Sequence, residues 1–411
     1  MKKDRFTANP FPEVRVSERE QKELISLVDI YVDDYLKKYE HFAVVDKHQV
    51  NMRRWEHVKS KDNLHVYTER TRKELQRNGM SPENSLSATQ RLQADSVKPD
   101  LPVMLSVGSF VGEMDDLMFG VVNPTLDSMR IKASYVHDLD SAAVLHSVLK
   151  PSKADPFQSL VIKWMAIDVP LQSTSLVKSR DFVYIEATGV TYLANGDRVG
   201  YHLLHSIDFP QTKPLPNKIR GNLSVFSCFK QIDHNIVDNY ACGIIDPGNE
   251  IIRSFLTSIA AKVMLSATNY VYCGQMKKLS WLLQHHHSAF AREDRKARRK
   301  QCVVCGKNTT HAMGSIGRST CKICYGSVCY SCKIRQRISF IAVGGQLIQR
   351  RIVICARCMS ESTHWNAQEV ARDQVSIYET CASFESRTVY SALSLLETSM
   401  SSFDEENWRD V

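Results

Sequence analysis

Cys302-Val303-Val304-Cys305, Cys321-Lys322-Ile323-Cys324, Cys329-Tyr330-Ser331-Cys332 and Cys355-Ala356-Arg357-Cys358 are four Cys-x-x-Cys pairs, separated by gaps of fifteen, four and twenty-two residues. A Cys-x-x-Cys turn lets two thiolates reach one tetrahedral ion at about 2.3 Å, so eight thiolates make two closed four-cysteine zinc sites. Closed sites leave no position for water, which assigns both ions a structural role. The competing reading is a disulfide scaffold. The start of the chain, Met1-Lys2-Lys3-Asp4-Arg5, leads into polar residues with no apolar core of an export signal. A reducing compartment is therefore expected, where paired cysteines bind metal. Cys228, Cys242, Cys273 and Cys381 are isolated in sequence and read as small packed or surface residues.

Charge sharpens the picture. The chain carries 53 Lys and Arg against 45 Asp and Glu, but the excess is local. From Arg295 to Ser360 there are fourteen basic residues and no acidic one, leaving 39 basic against 45 acidic residues elsewhere. Two four-thiolate zinc sites remove about four charges and leave this region strongly positive. A basic module on a mildly acidic body calls for a polyanionic partner, an anionic membrane surface or a nucleic acid. Any membrane contact is expected to be peripheral, because nowhere do about 18 apolar residues follow one another.

Working outward, Leu24, Leu27, Val28, Ile30, Tyr31 and Tyr35 recur at helical spacing behind a capping Ser17, which predicts an amphipathic helix over 17–39. Strand signals follow at Trp55 to Tyr67, Leu101 to Val122, Met129 to Val136, Leu160 to Val169, Phe182 to Tyr192, Arg198 to Phe209 and Leu223 to Ile232. Asn195-Gly196-Asp197 marks a hairpin turn. Residues 71–100 read as an exposed loop. One long helix is expected from about Pro247 to Gln284, with Ile251, Ile252, Phe255, Ile259, Val263 and Met264 on one side. His285, His286 and His287 read as a solvated run, and a short helix is expected from about His364 to Tyr378. No P-loop, dinucleotide fingerprint or nucleophile-base pair stands out, so no catalysis is expected.

The cysteine array resembles FYVE zinc fingers. The resemblance implies cross-bracing, with Cys302, Cys305, Cys329 and Cys332 on one zinc and Cys321, Cys324, Cys355 and Cys358 on the other. FYVE domains read phosphatidylinositol 3-phosphate with an Arg-Arg-His-His-Cys-Arg stretch, an Arg-Val-Cys and an upstream Trp-x-x-Asp. Here the first is Gly317-Arg318-Ser319-Thr320-Cys321-Lys322, the second is Val353-Ile354-Cys355 with Arg350 and Arg351 upstream, and the third is lacking. The anionic-lipid candidates are therefore Arg318, Lys322, Arg350 and Arg351. Met313 and Ile316 occupy the place of the membrane-inserting loop.

A long N-terminal helix, an antiparallel meander and a long closing helix are the outline of an α+β helix-grip fold. This order, Trp55 before the first strand and Ser179-Arg180-Asp181-Phe182 opening a later one resemble START-type lipid-transfer domains. The resemblance implies a cavity for one lipid or sterol, with Phe255, Ile259, Val263 and Met264 as candidate lining, while Arg180 and Asp181 read as a structural ion pair.

The chain thus divides into an extension (1–17), a START-like domain (18–285, with the 71–100 loop), a basic linker (286–300), a FYVE-like finger (301–362) and a Ser-rich tail with a short helix (363–411). The function expected is non-enzymatic: a cytoplasmic protein, peripheral on endosomal or other anionic membranes. Its partners would be anionic phospholipids or phosphoinositides and one cavity lipid, with nucleic acid not expected. The alternative is a zinc-dependent protein-interaction adaptor, of the kind PHD or RING modules serve, on a structural helix-grip domain.

Overall fold

Ser17 starts the first helix as its sequence predicts. Its hydroxyl accepts from the Glu20 N–H while the Glu20 carboxylate accepts from the Ser17 N–H at 2.7 Å, a reciprocal capping box. The computed structural model describes residues 9–81, 101–136, 141–167, 178–248, 253–289, 301–308, 319–342 and 345–383. These form two units, Met1–Gly274 and Gln275–Val411.

In the first unit, α1 (Glu18–Val44) buries Leu24, Val28, Tyr31, Tyr35, Tyr39 and Phe42 on one face of a large sheet. The strands are β1 (Trp55–Lys61), β2 (Leu64–Glu69), β3 (Val103–Val111), β4 (Ser141–Leu149), β5 (Ser159–Ile167), β6 (Ser179–Tyr192), β7 (Arg198–Ser206), β8 (Lys218–Arg220), β9 (Asn222–Asp233) and β10 (Ile236–Asp246). They lie in the order β1-β2-β3-β10-β9-β7-β6-β5-β4, antiparallel throughout except for the short β8 alongside β6. Pairing of β3 with β10 joins the first three strands to the last two, so the sheet is one surface rather than two hairpin groups. Val103, Leu105, Ile162, Trp164, Val183, Ile185, Phe226 and Tyr240 alternate onto the α1 side.

The opposite side is covered by helices, and here the sequence expectations need correction. Leu101 to Val122 is not one strand: it is β3 followed by α3 (Met114–Val121). Met129 to Val136 is helical, within α4 (Leu126–Val136). Thr125 and Ser128 exchange N–H to hydroxyl bonds at 3.0 and 3.2 Å, a helix start that overrides the strand propensity of the short run behind it. Residues 71–81 are not plain loop, since Thr71 caps α2 (Arg72–Arg77); 82–100 lie outside the described residues. β4 and β10 were not foreseen.

The expected single helix after Pro247 is two, α5 (Arg253–Leu265) and α6 (Thr268–Ala289), separated at Ser266 and Ala267. The Ser266 hydroxyl donates to the Val263 carbonyl at 2.6 Å, drawing the chain away from regular helix. α3 and α6 approach closely at two glycines. A Cβ on Gly120 would lie 1.9 Å from the Tyr270 carbonyl oxygen, and one on Gly274 would lie 1.9 Å from that of Asp116.

The second unit begins inside α6, earlier than the domain boundary expected at 285, and α6 runs through Ala289 into the expected linker. The reason is tertiary packing by the end of α6. Trp281 meets Trp365 edge to face with ring centroids 5.1 Å apart and planes inclined at 67°, and donates to Asp373 at 2.7 Å, while Lys278 donates to the Thr363 and Trp365 carbonyls. His285 lies 3.1 Å from Asp373 and is not simply solvated. The partners sit on or beside α7 (Ala356–His364) and α8 (Ala367–Ser383), so the tail after 363 opens with a helix of 17 residues. Between these lie β11 (Ser319–Thr320), β12 (Ser327–Val328), a 3₁₀ turn (Tyr330–Cys332), and the hairpin strands β13 (Lys333–Ile341) and β14 (Leu347–Cys355).

Candidate functional site

Each cysteine pair is held by local backbone geometry. The Cys302 N–H bonds to the Lys307 carbonyl and the Gly306 N–H returns to Cys302, with Gly306 at a φ of +70° that an L side chain rarely adopts. Cys321 repeats the device: its N–H bonds to the Gly326 carbonyl, and Tyr325 takes the left-handed conformation. Cys329 precedes the 3₁₀ turn that carries Cys332, and Cys355 caps α7, accepting from the Cys358 N–H at 3.4 Å.

These turns bring together two groups of four sulfurs, Cys302/Cys305/Cys329/Cys332 and Cys321/Cys324/Cys355/Cys358, each with all Sγ atoms within 4.8 Å of one another. The grouping interleaves, coinciding with the cross-brace that the FYVE resemblance implies. A tetrahedral ion with 2.3 Å bonds to sulfur requires sulfur–sulfur edges of about 3.8 Å. Cys305 and Cys329 sulfurs are 3.7 Å apart, and those of Cys324 and Cys355 are 3.9 Å apart. Four soft thiolates at that spacing fit zinc and leave no open coordination position.

The remaining sequence candidates fare unevenly. Met313, Ile316 and Arg318 lie outside the described residues. Lys322 is half-buried, and burial lowers its pKa. Arg350 and Arg351 are both exposed, but as consecutive residues of β14 they project to opposite faces. On α5 the enclosed side chains are Leu256, Ala260, Ala261 and Leu265; Phe255, Ile259 and Met264 are half-buried, and Val263 is 42% exposed. Val263 is therefore no lining residue, because the buried stripe runs one position away from the one read in the sequence. Asp181 pairs with Arg220 at 3.0 Å and accepts from the Trp164 indole at 3.0 Å, rather than pairing with its strand neighbour Arg180, which projects to the other face.

One constellation escaped sequence reading. On the sheet face opposite α1, Lys163 of β5, Glu186 of β6 and His202 of β7 meet Asn123 and Lys132 from the α3–α4 region, all almost wholly buried. Lys163 donates to Glu186 and, at 2.7 Å, to the Asn123 carbonyl; His202 Nε2 lies 2.7 Å and Lys132 Nζ 3.7 Å from Glu186. Tyr270 of α6 closes over it, 5.1 Å from the Lys132 ammonium to the ring centre. Burial alone would push the Glu186 carboxyl up, but the Lys163 and Lys132 ammonium groups and the His202 bond hold it well below the carboxylate range. Burial depresses His202, against the opposing pull of Glu186. Phe182, Tyr184 and Met165, on the same face as this cluster, pack with Met129 and Leu223 into an apolar group beside it. The only sequence signal is a polar residue at inward positions of apolar runs.

No protein-family profile and no curated protein sequence matches the chain. Among solved structures, it is similar to human STARD10 (10% identity, 68% of this chain and 87% of that one, TM-score 0.36). It is likewise similar to human StAR-related lipid transfer protein 5 (10% identity, 61% and 98%, TM-score 0.39). A third is a STAR-related lipid transfer protein fragment from Xanthomonas axonopodis (13% identity, 53% and 99%, TM-score 0.35).

Proposed function

We propose that this chain is a non-enzymatic, peripheral lipid-binding protein of cytoplasmic membranes. The first unit takes one lipid or sterol between the sheet and its covering helices, and the second, folded around two structural zinc ions, holds anionic headgroups, phosphoinositides among them, on endosomal or similar membranes. The observation that carries the lipid half is the juxtaposition, on one sheet face, of the Glu186–Lys163–His202 cluster with the apolar group of Phe182, Tyr184 and Met165. A mostly apolar ligand with one polar end matches such a pairing of polar and apolar side chains. The local excess of basic residues around the cysteines supports the membrane half.

Organic extraction of the purified full chain, followed by mass spectrometry, tests the first half. A stoichiometric lipid is expected, and Glu186→Gln should change the amount or the kind retained. A folded, zinc-loaded protein that neither retains nor takes up any lipid or sterol would sink it. Flotation with vesicles tests the second half.

A further inference from the structure

The hairpin β13–β14 has nine residue pairs, and its register sorts them into two faces. Ile338, Ile352 and Ile354 are buried on one. The other runs from the half-buried apolar pair Ile341/Leu347 near the turn, past buried Ser339 and exposed Gln349, to the directly opposed pair Arg337/Arg351 and then Arg335 opposite Val353. Arg335, Arg337 and Arg351 are exposed, and among the described residues none has an acidic partner. At about 3.4 Å per residue, the arginine pair sits roughly 14 Å along the strand from the apolar tip.

Like charges directly opposite on a sheet destabilise it. The surrounding sequence, without an acid from Arg295 to Ser360, supplies nothing to relieve them. A fold that places two guanidiniums opposite each other, with a third on the same face, is suited to an external anion with several negative charges in a row. A nucleic acid and a membrane both offer this. The grading from exposed arginines to half-buried isoleucine and leucine along one face distinguishes them: it matches a membrane surface, where cations meet phosphates and the apolar end enters the acyl boundary, whereas a phosphate backbone gives the apolar end nothing to bind.

We infer that the Arg335/Arg337/Arg351 face of this hairpin, tipped by Ile341 and Leu347, is the surface that docks on the headgroups of an anionic membrane. This rests on the membrane half of the proposed function and relocates its contact: Arg350, on the buried-isoleucine face, takes no part.

The test is co-sedimentation of the full chain with phosphatidylcholine vesicles with and without phosphatidylserine. Neutralising one arginine of the face, as in R337Q or R351Q, is expected to weaken binding to the anionic vesicles about 5-fold, and R335Q/R337Q/R351Q about 100-fold. R350Q should leave binding unchanged. Leu347→Ser should weaken binding in a way that added salt does not mimic. Two zinc ions per chain and an undiminished melting temperature, raised in R337Q by loss of the opposed charge, certify the fold. If the wild-type chain ignores anionic vesicles, the membrane reading itself falls. If it binds but R350Q matters as much as R351Q, the inference falls and the reading stands. Equal affinity for a DNA duplex, with L347S silent, would also overturn it.

Discussion

His202 Nε2 lies 2.7 Å from Glu186 Oε1, with both side chains buried, and His205 on the neighbouring stretch of β7 is buried against Tyr31 and Ser224. Burial lowers both imidazoles, that of His205 to about 4. His205 is therefore neutral in the folded chain at pH values where an unfolded imidazole takes up a proton, and the lowering of His202 acts in the same direction.

The sign follows directly. Below about pH 6.5 the unfolded state binds more protons, so stability falls as pH falls through that range. His205 alone should cost about 2 kcal/mol at pH 5 relative to pH 7.5. Glu186, depressed in the folded chain, adds a further loss as pH drops below about 4.5. Urea midpoints across pH 7.5 to 5 should slope accordingly, and His205→Gln should flatten the slope. A wild-type profile level over that range would refute the assignment.

Gly120→Ala and Gly274→Ala should each destabilise the first unit. Alanine gains about 1 kcal/mol of helix propensity over glycine, but either methyl would meet a backbone carbonyl oxygen at 1.9 Å. Overpacking against backbone costs roughly 1–3 kcal/mol or more, and the carbonyl cannot rotate aside as a side chain would. The clash wins. A thermal melt in which either variant gained stability would show that the two helices separate freely.

Metal content after gel filtration reads the interleaved ligand groups. Two zinc ions per chain are expected. C302S/C329S should retain one, because both cysteines belong to the same group of four, whereas C302S/C321S should retain none. The reverse pattern would mean that neighbouring pairs share an ion.

Much of the architecture could be read from local signals, because the interactions behind it are local. Ser17 and Glu20 announce α1, Asn195-Gly196-Asp197 turns β6 into β7, and the Cys-x-x-Cys turns declare themselves by spacing. The failures are where long-range contacts decide. Lys163 and Glu186 are 23 residues apart and meet only because Lys163 pairs with Tyr184, which makes Glu186 its diagonal neighbour across β5 and β6. Residues 129–136 have strand-like composition, yet Thr125 and Ser128 start a helix there. Arg350 and Arg351 look equivalent as a dipeptide, and only the pairing of β14 with β13 separates them.

The interleaving of the cysteine groups has a consequence for biosynthesis. Of the eight paired cysteines, the first four to leave the ribosome, Cys302, Cys305, Cys321 and Cys324, belong to two different groups. A metal that arrives before Cys329 emerges finds a full tetrahedral set with the wrong membership, and it must trade two sulfurs before the native arrangement can close. The second group stays incomplete until Cys355 and Cys358 follow the whole β13–β14 hairpin out. Metal supply during translation therefore bears on the yield of correctly assembled chain as well as on its final stability.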